Sequence, residues 1–114
     1  MHFFVILSPK GLIQSAELIA KIKAFNSRDF PNVQLTVNNG NIDLNIQYIA
    51  VMSFPNKDEG MSYYESIVGE ENLVNQFDPQ QVQYYVISQQ NLSELTRTKD
   101  IKNYSQFFQE KYLQ

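Results

Sequence analysis

The chain contains no cysteine and no tryptophan among its 114 residues. Without cysteine there are no disulfides, no thiolate metal sites and no thiol catalysis, and the redox compartment stays undetermined. Basic residues are few and scattered, with nine Lys and Arg against twelve Asp and Glu and a formal charge of -3. Because no basic face is evident, we do not expect the chain to bind a nucleic acid.

Long apolar runs are missing as well. No stretch approaches the roughly 20 apolar residues that a membrane helix needs, so we predict no membrane span in this chain. Residues 1–7 lack the basic region and the small-residue cleavage site of a signal peptide. What is present is 43% apolar and 13% aromatic residues, a composition typical of one folded globular domain.

Motifs for catalysis, metals and cofactors are sparse. The single histidine, His2, cannot form a multi-histidine metal site, and the four isolated glycines form no nucleotide-binding loop. Two acid pairs, Asp58 with Glu59 and Glu70 with Glu71, lie at a predicted helix start and in a polar loop. Neither setting is apolar enough to raise a pKa for acid–base catalysis. We therefore predict no catalytic residue, no metal site and no cofactor, and we expect a protein that is not an enzyme.

Hydrophobic periodicity predicts the element order βαββαβ followed by a C-terminal helix. Residues 3–7 and 84–88 are short apolar runs typical of buried strands. Ser15 is the predicted N-cap of the first helix, and Asn56 with Glu59 has capping-box spacing for the second. Asn91 opens a short helical turn, and the terminal helix begins at residue 100.

The segment between the first two helices predicts a hairpin. Asn39 and Gly40 favour a two-residue type I′ turn, which places Val37 opposite Ile42 and Leu35 opposite Leu44. In this register the apolar pairs share one face of the sheet and the polar residues share the other.

The third strand changes character beyond Tyr48. Ala50, Met52 and Phe54 continue the predicted core face, while Ile49 and Val51 make the opposite face apolar too. We expect another element to cover these two residues.

The economical architecture is a ferredoxin-like α+β sandwich of residues 1–114, with an antiparallel sheet in the order 4-1-3-2 and two helices on one face. The extra C-terminal helix is expected to fold over Ile49 and Val51 or to dock on a neighbouring domain. RNA-recognition modules share this element order. However, the third strand at residues 45–52 has none of their basic and glycine residues.

Exposed aromatic side chains are favoured anchors in recognition. The chain has tyrosine and phenylalanine doublets at residues 63–64, 84–85 and 107–108, and in each the two side chains point in different directions. Together with the apolar second face, they give a candidate interaction surface on the open sheet face and the terminal helix: Tyr48, Ile49, Val51, Tyr85, Ile87, Tyr104 and Phe108.

Five segments resemble the C-terminal domain of tetratricopeptide-repeat envelope lipoproteins of Bacteroidetes, the kind associated with gliding motility and type IX secretion. They are HFFVIL at residues 2–7, KAFN at 23–26, VMSFPN at 51–56, YVISQQN at 85–91 and YSQFFQEKY at 104–112. The resemblance implies a non-enzymatic assembly role in the periplasm or cell envelope, as the C-terminal module of a longer protein. The repeat array typical of that family is not in this chain.

A second similarity is to peptidoglycan-binding SPOR domains, which share the βαββαβ order. Phe54, Pro55 and Asn56 match the strand-to-helix entry of that family, but Ser53 stands where it has a glycine.

The leading hypothesis is thus a protein-interaction module, with a protein partner and with the oligomeric state open. Peptidoglycan binding by the sheet face is one alternative. A small-molecule regulatory domain that dimerises through its sheet edges is the other.

Overall fold

The structure is a computed structural model that describes residues 1–113. Its elements are β1 (His2–Pro9), α1 (Ser15–Asp29), β2 (Thr36–Asn41), β3 (Ile46–Phe54), α2 (Lys57–Val68), β4 (Gln83–Ser88), α3 (Gln89–Thr98) and α4 (Ile101–Lys111). A single 3-10 turn, Val74–Gln76, lies between α2 and β4.

The four strands form one antiparallel sheet in the order β2-β3-β1-β4. This order, with α1 after β1 and α2 after β3, is the ferredoxin-like α+β fold that the sequence predicts. The central strand β1 is buried on both faces from Phe3 to Ser8, as its continuous apolar run requires. The chain then continues past the core fold into α3 and α4.

The first face of the sheet packs against α1 and α2. Phe4 lies opposite Val51 on one side and opposite Val86 on the other, so these three side chains share a face. The ring of Tyr63 from α2 lies 5.5 Å from that of Phe4 and 5.9 Å from that of Phe25 in α1. This aromatic cluster is the centre of the core.

The second face is covered by the C-terminal helices. Phe3, Val5 and Ile87 lie on this face, and each is buried. Helix α3 starts directly after β4 and ends near the β2–β3 hairpin, where Lys99 Nζ donates to the carbonyl of Ile42 at 3.2 Å. Because α3 crosses this face, the sheet lies between two helical layers.

The predicted hairpin register is wrong. Asn39 and Gly40 lie inside β2 instead of in a turn, and Val37 lies opposite Val51 rather than opposite Ile42. The physical reason is that β2 pairs with the part of β3 that also pairs with β1, so this part of β3 has a hydrogen-bonded strand on each side. The predicted turn would have left that part of β3 without β2 as a neighbour.

The predicted faces of β3 are also reversed. Ile49 and Val51 lie on the first face, under α1 and α2, so the C-terminal helices do not cover them. Phe54 joins that face because the pairing of β1 with β3 is irregular between His2 and Phe4. The extra residue in β3 breaks the simple alternation on which the prediction depends.

The helix starts agree in part with the capping signals. The Asn56 side chain accepts the backbone N–H of Glu59 at 2.9 Å, which confirms Asn56 as the N-cap of α2. Helix α3 is longer than the predicted turn because Ser88, not Asn91, is its N-cap and accepts the N–H of Asn91 at 3.1 Å. Helix α1 has Ser15 as its first residue rather than as its cap.

Candidate functional site

The predicted interaction surface does not lie at the surface. Ile49 is 2% exposed and Val51 is fully buried, both beneath α1 and α2. The remaining buried members are Tyr85, Ile87, Tyr104 and Phe108, all between β4 and the C-terminal helices. Of the seven predicted residues, only Tyr48 is partly exposed. As a contact surface on an open sheet face, the prediction is therefore wrong.

Helix α4 closes the outer edge of the sheet at β4. The hydroxyl of Tyr104 donates to the carbonyl of Val86 at 2.6 Å and so satisfies an acceptor on that edge. The rings of Tyr104 and Phe108 lie 5.4 and 5.3 Å from that of Tyr85. Burial raises the pKa of Tyr104, because an ionised phenol would be desolvated there and would lose its donor proton.

The end of α4 is anchored beside α2. His2 Nε2 lies 3.0 Å from the hydroxyl of Tyr112, and Lys57 Nζ lies 4.7 Å from the centre of the Tyr112 ring. Burial lowers the pKa of His2, and the positive charges of the N-terminal amino group and Lys57 lower it further. The lowered pKa favours the neutral imidazole, and the contact with Tyr112 gives His2 a structural role.

A second buried polar pair stabilises the first helical layer. The Tyr63 hydroxyl donates to Asn26 Oδ1 at 2.6 Å, and both residues are buried. Burial raises the pKa of Tyr63, so this phenol stays protonated and is a poor acid–base catalyst near neutral pH.

On the second face of the sheet, the β2–β3 hairpin carries a glycine–tyrosine pair. Gly40 lies directly opposite Tyr48, and a Cβ at position 40 would come within 2.8 Å of the Tyr48 ring. The glycine thus lets the ring lie across the strand. This explains why Tyr48 is only partly exposed.

The tip of this hairpin, residues 42–45, carries the most exposed large apolar side chain among residues 1–113. Leu44 is 87% exposed. Two hydrogen bonds define the turn beneath it: Asp43 Oδ1 accepts the backbone N–H of Asn45 at 2.7 Å, and Ile46 O accepts that of Ile42 at 2.9 Å. Leu44 is therefore held out from the body of the protein by a defined turn.

Two lysines flank the hairpin tip. Lys10 and Lys99 line a depression of about 520 Å³ together with Asn41, Asp43, Leu44 and Asn45. The backbone N–H of Lys10 donates to the carbonyl of Asn45 at 2.8 Å, which ties the β1–α1 loop to the tip. The tip thus presents one apolar side chain with two cations and one carboxylate beside it.

Sequence reasoning missed Leu44 as a surface residue because the predicted register paired it with Leu35 on the core face. A usable signal was present. Aspartate and asparagine at positions 43 and 45 are turn residues, since their side chains bond to the backbone two positions on.

Ligating and acidic side chains do not cluster into another site in the rest of the described chain. Within residues 1–113, no three histidine, aspartate or glutamate side chains cluster as metal ligands would. Asp58 and Glu59 are exposed in the first turn of α2. Among the described helices, none has the length and apolar content to cross a membrane.

Comparison with protein-family models, with curated proteins and with solved structures gives no match for this chain. The two resemblances to known families therefore remain expectations.

Proposed function

We propose that this chain is a non-enzymatic protein-interaction and assembly module that contacts its partner through the hairpin tip. The observation that carries the proposal is Leu44, a large aliphatic side chain that is 87% exposed on an ordered turn. Isolated apolar side chains are common on protein surfaces. This one differs because it projects from a hydrogen-bonded turn and has polar groups around it, which is the arrangement of an anchor residue with a polar rim.

The charges around the tip indicate the chemistry of the partner. Lys10 and Lys99 line the same depression as Leu44, and Asp43 lies within the turn. A partner that offers an apolar pocket with acidic residues at its rim would match this arrangement. The rim contacts would mainly raise the association rate, while burial of Leu44 would supply most of the affinity.

The setting of the proposed function is a larger complex in the periplasm or cell envelope. This part of the proposal is supported by the resemblance to the C-terminal domains of tetratricopeptide-repeat envelope lipoproteins. A module that adds no chemistry of its own and presents one anchor fits an assembly role in such a complex.

The two alternative functions have less support from the geometry. Glycan binding on the second sheet face would need that face to be open, but Phe3, Val5 and Ile87 on that face are buried. A small-molecule regulatory domain would need a pocket with converging polar groups. The depression at the hairpin tip lies between exposed side chains instead.

A photo-crosslinking amino acid at position 44 of the full-length protein, in the cells that produce it, tests the proposal. We expect a discrete adduct with another protein at position 44 and none at position 109, an exposed position on α4. Charge reversal by Lys10→Glu with Lys99→Glu should reduce the adduct. No adduct at position 44, or equal adducts at both positions, would rule out the hairpin tip as the contact.

A further inference from the structure

The two edges of the sheet differ in whether another element covers them. The edge at β4 is covered by α4, with Tyr104 bonded to the carbonyl of Val86. The edge at β2 has only β3 as a neighbour, and four of its six residues, Thr36, Asn38, Asn39 and Asn41, are exposed. Outside the sheet, no backbone hydrogen bond among residues 1–113 involves β2. The outward N–H and C=O groups of β2 are therefore free to pair with another strand.

This open edge lacks the features that usually prevent pairing between sheets. Edge strands are commonly protected by lysine, by proline, by inward-pointing charges or by a bulge. Residues 30–42 contain no charged residue, β2 contains no proline, and its pairing with β3 is regular from Thr36 to Asn41. At 3.3 Å per residue, β2 offers an unprotected edge of roughly 20 Å.

We infer that the β2 edge pairs with the β2 edge of a second copy of this chain. The two strands run antiparallel about a two-fold axis perpendicular to the sheet. The two four-stranded sheets then join into one continuous eight-stranded sheet, with α1 and α2 of both copies on the same side. This inference concerns the edge of the hairpin and is independent of the partner proposed for its tip.

Symmetry favours a second copy over an unrelated strand. Opposite residues in an antiparallel pair point to the same face, so the residue on the two-fold axis must lie opposite its own copy. The central residues of β2 are Asn38 and Asn39, and either register places asparagine opposite asparagine. An asparagine amide has both donors and acceptors, so it can bond to its own copy, whereas a charged residue on the axis would meet a like charge.

Closure of the other edge limits the assembly to two copies. A chain with two open edges would extend by strand addition into a filament, because each added copy would leave a new edge. Here α4 covers β4, so pairing through β2 uses the only sheet edge left open among the described strands. The expected product is a closed dimer.

The absence of cysteine allows a direct test with single-cysteine variants. In Asn38→Cys and Asn39→Cys, the variant on the axis brings two identical side chains to within disulfide distance. We expect that variant to form a covalent dimer under mild oxidation at least about tenfold faster than Gln109→Cys, the control on α4. The second β2 variant should be slower than the first. If neither exceeds the control, the pairing does not exist.

The mass of the unmodified chain in solution provides an independent readout. Sedimentation velocity over a range of concentrations should show a dimer for the parent chain. Asn38→Lys or Asn39→Lys should weaken dimerisation at least about tenfold by placing like charges close together, and Gln109→Lys should not. A chain that stays monomeric at every concentration, or a dimer that both lysine variants leave intact, would overturn the inference. A monomer that still forms the adduct at position 44 would leave the proposed function standing.

Discussion

At Gly60, α2 packs closely against the sheet. A Cβ at this position would lie 2.9 Å from Val86 Cγ1, and Val86 is fully buried in the centre of the core. Glycine inside a helix costs about 1 kcal/mol relative to alanine. Glycine is needed here because α2 could not pack so close to β4 with a larger residue at position 60.

Gly60→Ala should therefore destabilise the protein by about 1–2 kcal/mol, since overpacking outweighs the gain in helix propensity. Urea denaturation measures the change in the free energy of unfolding. Gly69→Ala is the matched control, because the nearest atom to its new Cβ would be Glu65 O at 3.5 Å, an ordinary contact. Equal stability of Gly60→Ala and the parent protein would show that α2 does not pack as closely as described.

His2 gives the protein a pH dependence with a definite sign. Burial and two nearby positive charges lower the pKa of folded His2 below its ordinary value of 6.5. Between that lowered pKa and 6.5, the unfolded chain binds more protons than the folded chain. The free energy of unfolding should thus fall as the pH drops through 6.5, and it should level off below the pKa of the folded state.

The variant His2→Phe isolates this contribution. The free energy of unfolding of the parent minus that of the variant, measured by urea denaturation from pH 7.5 to pH 5, should decrease as the pH falls. Carboxylates titrate in both proteins and cancel in the difference. A difference that is constant over this range would contradict a lowered pKa for His2.

At the scale of elements, one side-chain hydrogen bond joins α4 to the β4 edge. Tyr104→Phe keeps the ring and removes the hydroxyl that donates to Val86 O. The loss leaves that carbonyl without its partner beneath α4, at an expected cost of about 1–3 kcal/mol. Chemical denaturation should detect it.

Tyr84→Phe serves as the control for this prediction. It removes a hydroxyl from a partly exposed tyrosine in the same strand and should change stability by less than about 0.5 kcal/mol. Equal effects of the two substitutions would mean that the Tyr104 hydroxyl does not close the edge.

The elements themselves could largely be predicted from local pattern. Three elements are predicted by their own residues alone: β1 by its apolar run, α2 by the cap at Asn56, and α4 by the stripe of Tyr104 and Phe108. The hairpin register could not be predicted in this way. Asn39 and Gly40 are strong turn residues, but pairing of β2 along the central part of β3 outweighs the local preference.

At the scale of the whole molecule, the strand order and fold class were predictable because the βαββαβ order permits few arrangements. The candidate interaction surface could not be predicted from the sequence. An apolar side chain such as Ile49 gives the same sequence signal whether a helix of the same chain or a partner protein covers it. Only the positions of α1 and α2 decide between the two, and those depend on contacts distant in sequence.

The helices close both sheet faces, and the β2–β3 hairpin stays open for contact. Reactivity of single cysteines with a maleimide tests this claim most directly. Asn39→Cys and Leu44→Cys should react in the native protein at the rate of a free thiol, apart from any slowing of Asn39→Cys by dimerisation at high concentration. Ile49→Cys and Val51→Cys should react only as fast as the protein unfolds. Rapid labelling of position 49 or 51 in the folded protein would show that α1 and α2 do not close the first sheet face.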